Sequence, residues 1–121
     1  MSPIDYSGFL HPKPTPRVVD RLRRRRELAQ QERACRTHVK QRDEGRCRAC
    51  GRHGSHLHHL ERRSRGGQWT AINVVLLCLL CHQFAHAALL DIRGNPEPGH
   101  LLTIESQGDA RRHLERGPLW R

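Results

Sequence analysis

Two CxxC pairs are the residues of this 121-residue chain best suited to bind a metal ion. Cys47 and Cys50 form the first pair, and Cys78 and Cys81 form the second. Each pair can present two thiolates from a turn, and four thiolates complete the tetrahedral shell of Zn²⁺. Such a site leaves no position for water, so we expect one structural zinc that contributes to folding rather than four unrelated buried thiols. The fifth cysteine, Cys35, is then a free thiol.

Four histidines in the same stretch form a second group that is able to do chemistry. His58 and His59 are adjacent, and His82 and His86 are four residues apart. Neighbours on a strand point to opposite faces, whereas residues i and i+4 of a helix point the same way. One histidine of the first pair and both of the second can hold an ion, while the other takes a proton from water. Spacing alone leaves open whether these are ordinary surface residues. Two further histidines are assigned no role: His53 and His56.

The elements that must position these side chains follow from the apolar pattern. "LHHL" at 57–60 predicts a short strand, and "INVVLLC" at 72–78 predicts a second, buried strand. A basic loop with a Gly-Gly turn separates them, and "CHQFAHAALL" from Cys81 has helical spacing. The order is therefore strand, loop, strand, helix. Three residues of the helical stretch are available for the core: Phe84, Leu89 and Leu90.

The flanking segments are less informative. Good helix formers from Pro16 to Asp43 predict a helix, continuous or broken in two, that Gly45 ends. "RRRR" at 23–26 is either a solvated face or a face that contacts phosphates, and the two interpretations are compatible. "LLTIE" at 101–105 predicts a short strand, and the basic segment after it has no clear assignment.

The composition points to a polyanionic partner. The chain has 22 Lys and Arg against 12 Asp and Glu, giving a net charge of +10. Nucleic acid fits best, because no amphipathic membrane-type segment with bulky apolar anchors is present. No apolar run approaches the length of a membrane span, and the N-terminus lacks a signal-peptide pattern, so we expect a cytoplasmic protein. A reducing setting also favours thiolate–zinc bonds over disulfides.

The quoted motifs, taken together, resemble a known family. "CRACG…LHHLERRSRGGQWTAINVVLLCLLCHQFAH" is similar to the HNH endonucleases, also called ββα-metal or His-Me finger nucleases, and above all to members with a CxxC…CxxC zinc site. HH, SxGG, Asn and LCxxCHxxxH follow in the family's order, and the resemblance covers about residues 35–95. It implies an α+β fold: a small ββα-metal finger of two short strands and a helix, stapled by a four-cysteine zinc site, with an N-terminal basic helix.

The resemblance also implies roles for single residues. His59 matches the general base that activates water, and Asn73 matches the residue that braces the loop and helps to orient that base. His58, in place of the commoner Asp, and His82 match ligands of the catalytic ion, and His86 matches a third ligand found in some members. The four cysteines match the family's structural zinc site. An all-imidazole shell is softer than one with a carboxylate and accepts Mn, Ni, Co or Zn, holding Mg less well.

The resemblance predicts a DNA endonuclease that uses one catalytic divalent ion and leaves 5′-phosphate and 3′-hydroxyl ends. We expect a monomer or weak dimer that grips DNA mainly through backbone phosphates, by way of arginines in the basic loop and helix: Arg62, Arg63, Arg65, Arg23, Arg24, Arg25 and Arg26. The expected segments are a flexible Pro-rich tail (1–16), a basic helical arm (17–44), the nuclease core (45–95), and a C-terminal strand with a basic tail (96–121). Two alternatives stay open: a noncatalytic zinc-stabilised nucleic-acid-binding module, and a purely structural zinc protein of a larger assembly.

Overall fold

A computed structural model describes residues 12–117 of the chain. The elements are α1 (Pro16–Arg42), β1 (His56–His59), a 3₁₀ helix (Arg63–Arg65), β2 (Val74–Leu77), α2 (Leu79–His86), β3 (Leu90–Gly94), β4 (Leu102–Ser106) and α3 (Asp109–Arg116). β1 pairs with β2 and β3 pairs with β4, both antiparallel. This small α+β architecture with its clustered cysteines confirms the predicted fold class. Most of the predicted Pro-rich tail, and the end of the basic tail, lie outside the described residues.

α1 is one continuous helix, so the break that the sequence left open is absent. Pro16 is its first residue, where the missing N–H costs no hydrogen bond. The chain leaves the helix through Glu44 and Gly45, both with positive φ, and the Gly45 N–H donates to the Lys40 carbonyl at 3.0 Å. The helix up to Gln30 belongs to a compact unit of its own, and residues 31–117 form a second one. None of the helices within the described range has the length and apolar character that a membrane span requires.

β2 is the central strand of the second unit. Each side chain from Val74 to Leu77 is at most 1% exposed. On one face, Val75 and Leu77 pack with the four cysteines of the CxxC pairs. On the other face, Val74 and Leu76 pack against the buried residues of α1. A strand that is buried on both faces explains why the sequence is continuously apolar here rather than alternating.

A buried ion pair fastens the end of α1 to β2. The Asp43 carboxylate, fully buried, accepts hydrogen bonds from Arg42 Nε at 2.8 Å and from the Leu76 backbone N–H at 3.0 Å. Arg42 in turn donates to the carbonyls of Ala71 at 2.6 Å and Val74 at 2.7 Å. Removing one partner of a buried pair leaves the other charge uncompensated, which typically costs about 3–5 kcal/mol. The pair therefore fixes where β2 begins.

The C-terminal third differs most from the sequence prediction. The helical stretch that was expected to run from Cys81 through Leu90 starts earlier, at Leu79, and ends at His86. Ala88 adopts a positive φ of 61°, which reverses the chain, and Leu90 then begins β3 instead of continuing the helix. The predicted strand at 101–105 is present as β4 (Leu102–Ser106).

β3 and α3 were not assigned from the sequence. β3 pairs with β4 in a register that places Ile92 opposite Ile104. Leu90, Ile92 and Ala110 of this C-terminal part are all buried in the same core cluster as the four cysteines. The hairpin and α3 thus complete the core around the cysteine cluster.

Candidate active site and zinc cluster

The four cysteines of the two CxxC pairs converge on one buried point. Their Sγ atoms all lie within 4.8 Å of one another. Cys50 Sγ and Cys78 Sγ are 3.6 Å apart. Zn–S bonds of about 2.3 Å in a tetrahedron place neighbouring sulfurs roughly 3.8 Å apart. The donor set, its burial and its spacing therefore fit a zinc ion bound by four thiolates.

The two pairs reach this arrangement through matching turns. The Cys50 backbone N–H points to Cys47 Sγ at 3.5 Å, and the Cys81 N–H points to Cys78 Sγ at 3.3 Å. Gly51, with a φ of 79°, closes the first turn by donating to the Cys47 carbonyl at 2.9 Å. In the second turn Cys78 is the N-cap residue of α2, so the start of that helix is tied to the cluster.

The protonation of these thiols depends on their neighbours. Hydrogen bonds from Cys78 and Cys81 hold the pKa of Cys47 far below its ordinary value. Burial, foremost, raises the pKa of Cys50, and the hydrogen bond with Cys47 raises that of Cys81. One thiolate is thus stabilised at the expense of its neighbours, so four thiolates need a bound cation to neutralise them.

A second group of ligands, three imidazoles, forms between β1 and α2. The ligand nitrogens of His58, His82 and His86 lie within 4.8 Å of one another, and the Nε2 atoms of His82 and His86 are 3.1 Å apart. Metal–nitrogen bonds of about 2.1 Å require neighbouring nitrogens roughly 3.0–3.4 Å apart. These residues are half-buried or exposed, unlike the four cysteines, so the group fits an ion that solvent and substrate can reach.

Burial favours the neutral form of two of these imidazoles, His58 and His82. Burial is the main cause that lowers the pKa of His58 to about 4, and the neighbouring imidazoles lower it further. It also lowers the pKa of His82. A neutral imidazole is the form that binds a metal.

His59 lies on the opposite face of β1 from His58. The register places His58 opposite Val75, on the α2 face, and His59 opposite Val74, on the α1 face. The His59 ring meets Trp69 nearly edge to face, with 4.3 Å between centroids and an angle of 80°. Its Nε2 is buried and has no hydrogen-bond partner within residues 12–117.

The charge around His59 favours its neutral form. Burial lowers the pKa of His59, and the guanidinium groups of Arg63 and Arg36 lower it further. Arg36 comes from α1 and lies over the Trp69 ring at 4.8 Å from its centroid. An imidazole that is neutral near pH 7 can accept a proton.

Asn73 braces the loop between β1 and β2. Its Oδ1 accepts from the Glu61 N–H at 2.7 Å, and its Nδ2 donates to the carbonyls of Glu61 at 3.2 Å and Gln68 at 3.0 Å. At Gly67, a Cβ atom would collide with the Glu61 carbonyl oxygen, so a side chain there would displace the loop. These contacts hold the start of the basic loop beside His59.

His58, His59, His82 and His86 all line one open cleft of about 560 Å³. Arg62 and Arg63 line the same cleft, while Arg65 is exposed on the loop outside it. The four predicted arginines of the helix, Arg23 to Arg26, lie exposed on α1 in the unit that ends at Gln30.

The sequence analysis missed several residues of these sites. His56 stacks on His82 with 5.2 Å between ring centroids, on the same strand face as His58, so strand alternation alone was enough to find it. Trp69 and Arg36 adjoin His59, and His113 adjoins the cysteine cluster. No sequence spacing links these last three to their partners, because each contact joins distant segments.

Comparison with known families agrees with this geometry. The sequence model of a family described as HNH endonuclease matches residues 47–88. The matched segment contains both CxxC pairs, Asn73, and the four histidines that line the cleft: His58, His59, His82 and His86. Searches of curated proteins and of solved structures found no match. The predicted resemblance is thus confirmed over the segment that builds both clusters, which indicates a nuclease or nucleic-acid-related function.

Proposed function

We propose, on the premise of an HNH endonuclease domain at residues 47–88, that this protein is a metal-dependent DNA endonuclease. The observation that carries the proposal is the arrangement of four histidines in one cleft. Three imidazoles from β1 and α2 converge, and the fourth, His59, borders the same cleft from the other face of β1. A nuclease of this kind needs an ion beside the scissile phosphate and a separate base beside the water.

His59 is the general base, acting through Nδ1. His59 lines the cleft, and its Nε2 is buried without a hydrogen-bond partner among the described residues, which supports Nδ1 as the nitrogen that takes the proton. Nδ1 takes a proton from water as the water oxygen attacks phosphorus in line with the departing 3′ oxygen. The P–O3′ bond breaks, the departing 3′ oxygen takes a proton from solvent water, and the products carry a 5′-phosphate and a 3′-hydroxyl.

His58, His82 and His86 hold the catalytic divalent ion. That ion, when bound, supplies positive charge that stabilises the phosphate oxygens and the leaving oxygen. The three candidate ligands are imidazoles without a carboxylate, so we expect Mn, Ni, Co or Zn to be held more tightly than Mg. Asp91 also lines the cleft, but its carboxylate pairs with Arg93 at 2.6 Å, so we assign it no ion.

Arg62 and Arg63 bind the DNA backbone. Both are exposed and line the cleft, so they can hold phosphates on either side of the scissile bond. Arg65 and the exposed arginines at 23–26 of α1 add contacts without sequence preference. Because such contacts read no bases, the proposal names DNA as the substrate class and assigns no target sequence.

A plasmid assay tests this function. Supercoiled plasmid is incubated with zinc-loaded protein and Mg, Mn, Ni, Co or added Zn, beside a chelator control, and nicked circles are quantified. We expect nicking that requires an added ion and is lost in His59→Ala but kept in His100→Ala, an exposed histidine in a turn outside the cleft. DNA binding without nicking under any ion would overturn the proposal in favour of a noncatalytic binding module.

A further inference from the structure

His113 of α3 lies against the cysteine cluster, although it is outside the segment that matches the family. It is only 7% exposed. Its Nε2 is 3.7 Å from Cys78 Sγ, and its Nδ1 is 2.9 Å from Arg52 Nη1. The ring also packs against Phe84, with 5.8 Å between centroids. A histidine so enclosed has a fixed orientation and a defined partner at each nitrogen.

The chemistry of the partners decides which nitrogen carries the proton. A guanidinium group has only donors, so Arg52 donates and Nδ1 must accept. The neutral imidazole therefore carries its hydrogen on Nε2, the atom that faces Cys78 Sγ. Arg52 is itself held by a bond from its Nε to the Gly117 carbonyl at 3.1 Å. The direction of donation is thus Arg52 to His113 to Cys78.

We propose that His113 is an outer-sphere partner of the zinc site, donating a hydrogen bond to the Cys78 ligand in an orientation set by Arg52. Four thiolates around one Zn²⁺ leave a net negative charge in an apolar core, and an N–H donor to one sulfur stabilises that charge. The four cysteines form a complete set of mutually close ligand atoms without His113, so His113 supports the shell without joining it. This inference depends on zinc at the four cysteines and is independent of the nuclease reaction.

The contact also joins the two clusters. Cys78 caps the helix that carries His82 and His86, since its Sγ accepts from the Cys81 N–H. A hydrogen bond that holds Cys78 therefore also holds the start of α2. By this route α3 acts as a positioning element for the zinc site and, through it, for the imidazoles of the cleft.

Zinc release measures the strength of this support. Zinc-loaded full-length protein is mixed with excess chromogenic chelator, and the release rate is compared among variants. His113→Leu, which removes the donor, should release zinc roughly 10- to 100-fold faster, the usual cost of losing an outer-sphere partner. His113→Gln keeps an N–H donor, so its zinc release rate should lie between those of the wild type and His113→Leu. Leu114→Ala is the matched control, because Leu114 is a half-buried α3 residue that packs against the same core.

Two outcomes of that experiment would overturn the proposal. One is zinc release from His113→Leu at the wild-type rate. The other is equal acceleration in Leu114→Ala, which would reduce the effect to lost packing. If His113→Leu fails to fold, Arg52→Met replaces it: the ring stays, its tautomer is no longer held, and release should still accelerate.

Spectroscopy of the unmodified chain gives an independent readout. Nitrogen-15 chemical shifts of the His113 ring should show a protonated Nε2 and an unprotonated Nδ1. In cobalt-substituted protein, the thiolate-to-cobalt charge-transfer band should shift in His113→Leu and stay in place in Leu114→Ala. A ring protonated at Nδ1, or an unshifted band in His113→Leu, would contradict a hydrogen bond to Cys78.

Discussion

The two ligand clusters of this protein share one short helix and differ in almost everything else. α2 supplies Cys81 to a fully buried group of four sulfurs and His82, the next residue, to a cleft that solvent enters. Adjacent residues of a helix point about 100° apart, so one turn of chain can serve both a core and a surface. Burial, more than ligand type alone, therefore distinguishes the cluster that we propose to be structural from the one that we propose to be catalytic.

Burial also decides whether water or substrate can reach each cluster. Four thiolates would fill the tetrahedral shell of a zinc ion, and the four cysteines are buried in the core. The three imidazoles line an open cleft of about 560 Å³, so an ion bound there would be within reach of water and substrate. We therefore expect damage to the first cluster to appear as loss of fold and damage to the second as loss of activity.

The largest effect should come from Cys78→Ser. Structural zinc contributes on the order of 10–16 kcal/mol of binding free energy in small domains, comparable to or larger than the stability of a typical domain. We expect the variant to unfold or to melt far below the wild type, as measured by circular dichroism. Cys35→Ala is the control, because Cys35 is buried in the other core cluster away from the zinc site. A Cys78→Ser variant that melts at the wild-type temperature would contradict the structural role of the cysteine cluster.

The next effect separates the base from the ligands. His59→Ala should keep its metal affinity and lose about 10²- to 10⁴-fold in cleavage rate, the usual worth of a positioned general base. His58→Ala and His82→Ala should instead lose metal affinity, with activity partly restored at high metal concentration. Calorimetric metal titration beside a nicking assay distinguishes the two patterns. If His59→Ala loses the metal while His58→Ala keeps it, the two roles are exchanged.

The arginines of the cleft should give a smaller and graded effect. Each phosphate contact contributes a slope of roughly −0.9 to the log–log dependence of DNA affinity on salt. Arg62→Gln and Arg63→Gln should each make that slope shallower by about one contact, measured by fluorescence anisotropy over several salt concentrations. Arg93→Gln serves as control, because Arg93 is exposed but paired with Asp91. Equal changes in all three variants would mean that only net charge matters.

The smallest effect concerns pH. Burial lowers the pKa of His58 to about 4. Between its ordinary value near 6.5 and this value, the unfolded chain binds a proton that the folded chain does not, so stability falls as pH falls through this window. At pH 5.5 the loss relative to pH 7.5 should be about 1 kcal/mol, measured by urea unfolding of zinc-loaded protein without a second ion. His58→Asn should show a correspondingly smaller loss, and an equal loss would assign the pH dependence to other groups.

The sequence predicted those features of the molecule that short local patterns determine. Strand alternation separated His58 from His59, and helical spacing brought His82 to the same side as His86. The two CxxC pairs predicted the cysteine cluster, because a pair on a turn has few other uses. In each case a short segment dictates the geometry by itself.

Other parts depend on contacts that no local pattern records. The stretch from Cys81 to Leu90 has helical spacing throughout, yet Leu90 gains more by joining β3, where it is buried in the core. His113 meets Cys78 only because the β3–β4 hairpin returns the chain to the cluster before α3 begins. The approach of Arg36 to Trp69 likewise requires α1 to pack on β2. Such contacts arise from tertiary packing, which one sequence does not display.

The central claim, two clusters with one closed structural ion and one open catalytic ion, is tested most directly by selective metal removal. Purified protein is treated with a mild chelator, and its metal content is read by native mass spectrometry beside circular dichroism and the plasmid assay. We predict that one zinc per chain remains, that the fold is unchanged, and that nicking disappears and returns when Mn or Ni is added. Loss of fold together with activity, or nicking that persists with the structural zinc as the only metal, would contradict the account.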